Sequence, residues 1–112
     1  EDFIKIKAWY TAQLAKLIQQ LASVPEGNGT LLDNTVIFVG SDLANGGWHN
    51  HADMPFIIAG GHNAGISGGR SLRFNGTAHN KILVSIAQFM GLPINRFGTQ
   101  DSNPGPLPGL IG

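Results

Sequence analysis

TVIFVGSDLANGGWHNHADMPFIIAGG, residues 35–61, holds two short apolar runs, at 36–39 and 56–59, separated by a polar loop that carries Gly, Asn, His and Asp. Both runs are continuous rather than alternating, the pattern of strands covered on both faces, and both stop at small residues. In open α/β sheets ligands collect outside the carboxyl ends of the strands. Ser41 and Asp42 fall at that end of the first run, and His49, His51 and Asp53 follow in the loop. No other part of the chain gathers so many groups able to ligate a metal.

Upstream, Phe3, Ile6, Tyr10, Leu14, Leu17 and Leu21 recur every three or four residues, with Lys5, Gln13, Lys16, Gln19 and Gln20 largely on other faces. That period predicts an amphipathic helix of about 20 residues, ended by Pro25 and the Glu26-Gly27-Asn28-Gly29 run. Trp9, Ala12 and Ile18 widen the apolar face, so the helix is expected to touch more than one neighbour. Asp33-Asn34 makes the turn into the first strand, and a helix leading into two strands of this kind fits a layered α/β architecture. Pro55 opens the second strand, where a missing N–H does least harm.

Downstream, a glycine-dense loop over 60–69 precedes a short edge strand expected at 70–74, and its glycines match neither GxGxxG nor GxxxxGK. A second helix is expected over about 79–90, with Ile82, Leu83, Ile86, Ala87, Phe89 and Met90 as its core face, Gly91 as its stop and Pro93 preventing continuation. From 95 to 112 the chain is Gly- and Pro-rich, a tail expected to lie against the rest of the protein as extended chain.

The 112 residues suffice for one small domain. Charged residues make up 12%, about half of the ~25% usual for soluble domains, and there are 16 glycines. A free-standing small domain needs a charged surface, so much of this one is expected to face protein, either the remainder of a longer chain or an assembly. Seven basic residues balance seven acidic ones, which leaves no electrostatic footprint for nucleic acid or an anionic membrane. No apolar stretch approaches the ~20 residues of a transmembrane segment. Without cysteine, disulfide and thiol chemistry are excluded. The sequence opens at Glu1 already in helical period, with neither an initiator Met nor a signal-peptide pattern, as expected of the C-terminal part of a longer chain. Asn28-Gly29-Thr30 and Asn75-Gly76-Thr77 match the glycosylation sequon, a pattern too short to carry weight.

His49 and His51 form an H-x-H pair, and in extended chain residues two apart point to the same side, so two imidazoles can converge on one ion. Asp42 and Asp53 would add oxygen ligands, a set suited to zinc, manganese or iron. The plainer reading is a pair of solvated or hydrogen-bonding histidines. His79 is read either as a polar residue bonding to the first turn of its own helix or as a ligand returning to the same edge. His62 follows the second strand and could support the same loop. Arg70 is read as a grip for phosphate or sulfate, or as a partner for a carboxylate or apolar surface. Trp48 is expected to pack over the loop. Ser41 lacks a G-x-S-x-G elbow and a base at a recognisable spacing, so it is not read as a nucleophile.

The order Thr30-Leu31-Leu32-Asp33-Asn34-Thr35, the strand-end Gly40-Ser41-Asp42, His49 six residues before Pro55, Gly68-Gly69-Arg70, and Met90-Gly91 with Phe97-Gly98 resembles a group of exported bacterial proteins akin to the alkaline phosphatase and sulfatase superfamily. The likeness runs from about residue 9 to 110. It implies a layered α/β fold with a mostly parallel sheet flanked by helices, an extracytoplasmic location, a divalent metal (zinc, manganese, iron or calcium) and hydrolysis of phosphate or sulfate esters. By the same resemblance, Asp42 matches the Asp of a strand-end Asp-His-Gly metal motif, His49 the histidine of the following loop, and His79 a histidine opening the next helix. His51 joins them from the H-x-H pair, completing an expected metal set of Asp42, His49, His51 and His79. Leu43 stands where that motif carries its histidine, a loss that would weaken one metal site or abolish it. The nucleophile of the superfamily belongs to an N-terminal half outside this sequence. A non-catalytic structural or interaction role on the same fold is the alternative.

Overall fold

The computed structural model describes residues 1–98 and 103–111. Helix α1 spans Asp2–Ser23 and ends where the residue before Pro25 is forced out of helical geometry: Val24 is extended, at φ −98 and ψ 114. The period placed this helix correctly, yet none of its residues is buried. Phe3 and Ile4 are 69% and 71% exposed, and Trp9 and Tyr10 stack edge-on with centroids 5.2 Å apart on an open face. Instead of touching several neighbours, α1 packs mainly against one short strand, and its last turn is tied to the next segment by Leu32 N–H donating to Leu21 O at 3.2 Å.

That strand belongs to a hairpin the sequence reading did not anticipate. β1 (Pro25–Glu26) pairs antiparallel with β2 (Gly29–Thr30) across Gly27, whose φ of +57 suits a residue without a Cβ. The following turn is densely bonded. Asp33 Oδ2 accepts from Thr30 N–H at 2.7 Å and from the Thr30 hydroxyl at 2.8 Å. Asn34 donates to Glu26 and accepts from Asn63, while the Thr35 hydroxyl donates to Leu31 O.

β3 (Val36–Val39) and β4 (Ile57–Gly60) lie within one residue of the two apolar runs. They pair antiparallel, with Val36 opposite Gly60 and Val39 opposite Ile57. The expected layered α/β fold with a mostly parallel sheet flanked by helices is therefore corrected: the described residues form two helices and two separate two-stranded antiparallel sheets. The physical reason lies in the connection. Parallel neighbours require a crossover, usually a helix, and residues 40–56 contain none, so the chain returns directly. Nor is the pair covered on both faces, since Phe38 and Ile57 are exposed.

Residues 70–74, expected as an edge strand, carry no regular structure. A single 3-10 turn at His62–Ala64 follows β4. Helix α2 (Asn80–Phe89) matches the expected second helix closely. It ends in a Schellman arrangement, with Gly91 at φ +82, Gly91 N–H on Gln88 O and Leu92 N–H on Ala87 O. The buried core is small: Ile82 and Val84 of α2, with Ile66 and Leu110. Buried Ser85 is fully engaged, its hydroxyl donating to Lys81 O and accepting from Leu107 N–H.

The described residues of the tail, 103–111, run through bends and a turn at 108–109 rather than as extended chain, and are tied to the loop after β4 and to α2. Lys81 Nζ donates to Pro104 O at 2.7 Å, and Ile111 bridges to Ile66. The part of the tail at 99–102 and residue 112 lies outside the described residues. Among the described residues no helix is long and apolar enough to cross a membrane.

The resulting body is flat, 43 × 42 × 22 Å, with a radius of gyration of 15.5 Å against about 13 Å for a globule of this length. Its surface of 8015 Å² exceeds by roughly a third the ~6,000 Å² of a free-standing protein of this mass. Large apolar side chains stand exposed on it, among them Phe3, Ile4, Trp9, Trp48 and Met90.

Candidate functional site

The antiparallel pairing places the end of β3 beside the start of β4, so residues 40–56 hang as one loop from that end of the hairpin. Phe56 stacks on Phe38 with ring centroids 5.3 Å apart. It lies so close to the backbone that a Cβ on Gly40 would come within 2.6 Å of its ring, which explains a glycine immediately after the strand. Within the loop, Asn45 Oδ1 accepts from Gly47 N–H at 2.9 Å and Trp48 N–H at 3.2 Å, and Ala44 N–H donates to Asn50 O. These bonds turn the chain back on itself. His49 is left at φ +48 and Asp53 at φ +53, the two non-glycine residues of the described chain in the left-handed region. Asp and His both occur in that region more often than most non-glycine residues, and the loop's hydrogen bonds hold His49 there. Asn50 Oδ1 is buried without a hydrogen-bond partner among the described residues.

Trp48 does not pack over the loop, for it is 81% exposed. His79 stands at the N-terminal boundary of α2 but its side chain makes no capping hydrogen bond, which removes the first of its two readings. Its ring is directed elsewhere. The His79 imidazole lies 6.5 Å from that of His51 and 6.1 Å from the Phe56 ring, centroid to centroid. The pair opens onto a cleft of about 1050 Å³, whose apolar lining includes Met54, Phe56, Ile82 and Leu110.

Arg73 Nη2 faces Asp53 Oδ1 at 3.6 Å and joins the loop to the opposite wall of the cleft. Both side chains are largely exposed, so the pair orients the walls more than it stabilises them. Nothing in the sequence pattern distinguished Arg73, or Phe56 as the ring behind His79. Among the described residues Arg70 meets no carboxylate. Its guanidinium donates to three backbone carbonyls, those of Ser67, Gly109 and Leu110.

The four expected ligands are brought together only in part. Two imidazoles on one tetrahedral ion, at metal–nitrogen distances of about 2.1 Å, have centroids roughly 5–5.5 Å apart. His51 and His79 are slightly wider than this, and both are exposed enough to close by rotation. Asp42 is exposed, with the Ser41 hydroxyl 3.5 Å away as a long hydrogen bond. Among the described residues no three of His, Cys, Asp and Glu stand where they could hold one ion. Of the expected set, the structure therefore brings only His51 and His79 near each other, a pair able to supply two imidazole ligands, with Asp42 and His49 outside it. His62 does not support the loop. It follows β4 at the opposite end of the hairpin, near Asp33, whose carboxyl is held below its ordinary pKa chiefly by the Thr30 backbone and hydroxyl bonds, with a smaller contribution from the His62 charge.

Comparison of the chain with protein-family models, with curated proteins and with solved structures returns no match.

Proposed function

We propose that the chain forms part of an exported, divalent-metal-dependent hydrolase of phosphate or sulfate esters, with its reaction centre at the cleft of His51 and His79. The observation that carries this reading is the approach of those two imidazoles to 6.5 Å at a cleft lined by both polar and apolar residues. The resemblance of the strand-end Asp42 and the His49 loop to the alkaline phosphatase and sulfatase superfamily supplies the reaction class. The parallel sheet implied by the same resemblance forms no part of the proposal.

When bound, a zinc, manganese, iron or calcium ion would polarise the ester oxygen and stabilise charge on the leaving group. His51 and His79 would hold it, with Asp42 and His49 completing the set through rearrangement of residues 41–53. Arg73, paired with Asp53, and the apolar Phe56, Ile82 and Leu110 line the same cleft. Calorimetric titration of the chain with zinc and with manganese tests the site. Binding that falls in both His51→Ala and His79→Ala supports it, and binding unchanged in both, or absent from the unaltered chain, ends the hydrolase reading at this cleft.

A second reading rests on a different observation, the open apolar face of α1 and the excess surface area. In it the chain is a non-catalytic extracytoplasmic structural or interaction element, its α1 face covered by further residues of a longer chain or by an assembly. Leu43, at the position of the motif histidine, favours this reading. Absence of metal binding together with self-association of the isolated chain, lost on replacing Phe3, Trp9 and Tyr10 by polar residues, would favour it over the first.

A further inference from the structure

Three Asn-Gly pairs occur in turns of this chain: Asn28-Gly29, Asn45-Gly46 and Asn75-Gly76. Such a pair is chemically labile, because glycine has no side chain to shield its amide nitrogen from the preceding side-chain carbonyl and its backbone reaches conformations other residues avoid. The structure separates the three. Gly29 sits in β2 opposite Glu26, so its amide belongs to the hairpin, and Asp33 Oδ2 fills the space beside it, 2.6 Å from where a Cβ would stand. Asn45 is held by two hydrogen bonds to its own Oδ1 and by the bridge to Asn50. At Asn28 the Asp33 contact, and at Asn45 the two bonds that fix the side-chain rotamer, restrict the rotation that brings Cγ onto the following nitrogen.

Asn75-Gly76 has no such restraint. Among the described residues neither backbone group of the pair makes a hydrogen bond, Gly76 is at φ +64, and nothing lies within 4 Å of the position of its absent Cβ, an openness that Gly46 shares without the positive φ. The one contact is chemically suggestive: Arg73 Nε–H points at Asn75 Oδ1 from 3.4 Å. This is long for an N–H···O bond, so it leaves the amide free to rotate while placing a cation where negative charge develops on that oxygen during attack.

We propose that Asn75 is a site of spontaneous deamidation on the rim of the cleft, a conclusion independent of the metal reading. The Gly76 backbone nitrogen gives up its proton to solvent and bonds to Asn75 Cγ. The Cγ–Nδ2 bond breaks, and the nitrogen leaves with a proton as ammonia. Water then opens the cyclic imide at either carbonyl, giving aspartate or isoaspartate, so the net change is one water consumed and one ammonia released, with no redox step. The product carboxylate stands beside Arg73 and competes with Asp53 for it. The isoaspartate form also lengthens the backbone just before His79, altering the spacing of His79 from His51.

Incubating the intact chain in mildly alkaline buffer, natively and in urea, followed by peptide mapping with mass spectrometry, tests this. In the native chain acid is expected to accumulate at Asn75 ahead of Asn45 and Asn28, whereas in urea the three convert at similar rates. Gly76→Ala is expected to slow conversion at Asn75 about tenfold in both conditions. Arg73→Gln is expected to slow it only in the native chain, an effect that a purely unfolded-state reaction would not produce. Native conversion led by Asn28 or Asn45, or the same order in urea as in buffer, would overturn the proposal.

Discussion

Arg70 Nη2 donates to the carbonyl of Leu110 at 2.6 Å, and through this bond the tail becomes a wall of the cleft. With the bonds to Gly109 O and Ser67 O, one guanidinium joins the loop after β4 to the end of the described chain, and Leu110 is buried as a result. Lysine has the charge without the planar fork and cannot span three carbonyls. Arg70→Lys and Arg70→Ala are both expected to destabilise by about 1–3 kcal/mol in urea unfolding. Both are expected to hasten proteolysis at residues 103–111. Equal cleavage rates in variant and parent would show that the tail is held by its apolar contacts alone.

Gly60 and Gly69 share a positive φ, +77 and +72, yet differ in surroundings. A Cβ on Gly60 would collide with the Thr35 carbonyl and stand 2.7 Å from Leu32 O, both backbone atoms that cannot swing aside, whereas nothing lies within 4 Å at Gly69. Gly69→Ala is therefore expected to cost about 1–2 kcal/mol, the left-handed penalty alone. Gly60→Ala adds the collision and is expected to cost about 3 kcal/mol or more, measured by thermal or urea unfolding. Similar losses at the two positions would mean that β4 shifts to relieve the contact.

How much of this was legible in the sequence depends on what each pattern encodes. The apolar runs located β3 and β4, and periodicity with Pro25 and Gly91 located α1 and α2, because these signals are local. Strand direction is not local. Continuous apolar runs also occur in strands meant to be covered by something outside the described residues, so burial and parallel pairing do not follow from them. The absence of a helix-forming segment between 40 and 56 was the readable clue to an antiparallel return. His51 was identified from its spacing to His49, yet its partner at the cleft proved to be His79, a juxtaposition made by tertiary packing and invisible to spacing. Arg70 carried no signal separating an anion grip from a carbonyl clamp, since the same donors serve both.

Asp33 provides a pH prediction with a defined sign. Its folded-state pKa lies below the ordinary aspartate value of about 3.9 because the charged form accepts two bonds from Thr30. A depressed carboxyl stabilises the fold fully above the unfolded pKa, and that contribution disappears as pH falls through the folded value. The stability difference between the parent and Asp33→Asn is thus expected to be constant from pH 7 to about pH 5 and to shrink below about pH 4. Chemical unfolding across that range checks it, and a difference that grows on acidification would reverse the assignment.

His49 separates stability from binding in a way the other loop residues do not. Its φ of +48 is held by the turn that Asn45 and Asn50 build around it, a conformation glycine adopts without cost. His49→Gly removes both the strain and the imidazole. Relief of the left-handed penalty is worth about 1–2 kcal/mol, partly offset by the greater freedom of glycine in the unfolded chain. On the proposed metal set, in which residues 41–53 rearrange to bring His49 in, the variant is expected to melt slightly above the parent while binding zinc about tenfold more weakly. His62→Gly, on the far side of the hairpin and without strain to relieve, is expected to leave zinc binding unchanged. A His49→Gly protein that melts higher and binds zinc as the parent does would remove His49 from the metal set and leave its backbone strain serving the loop alone.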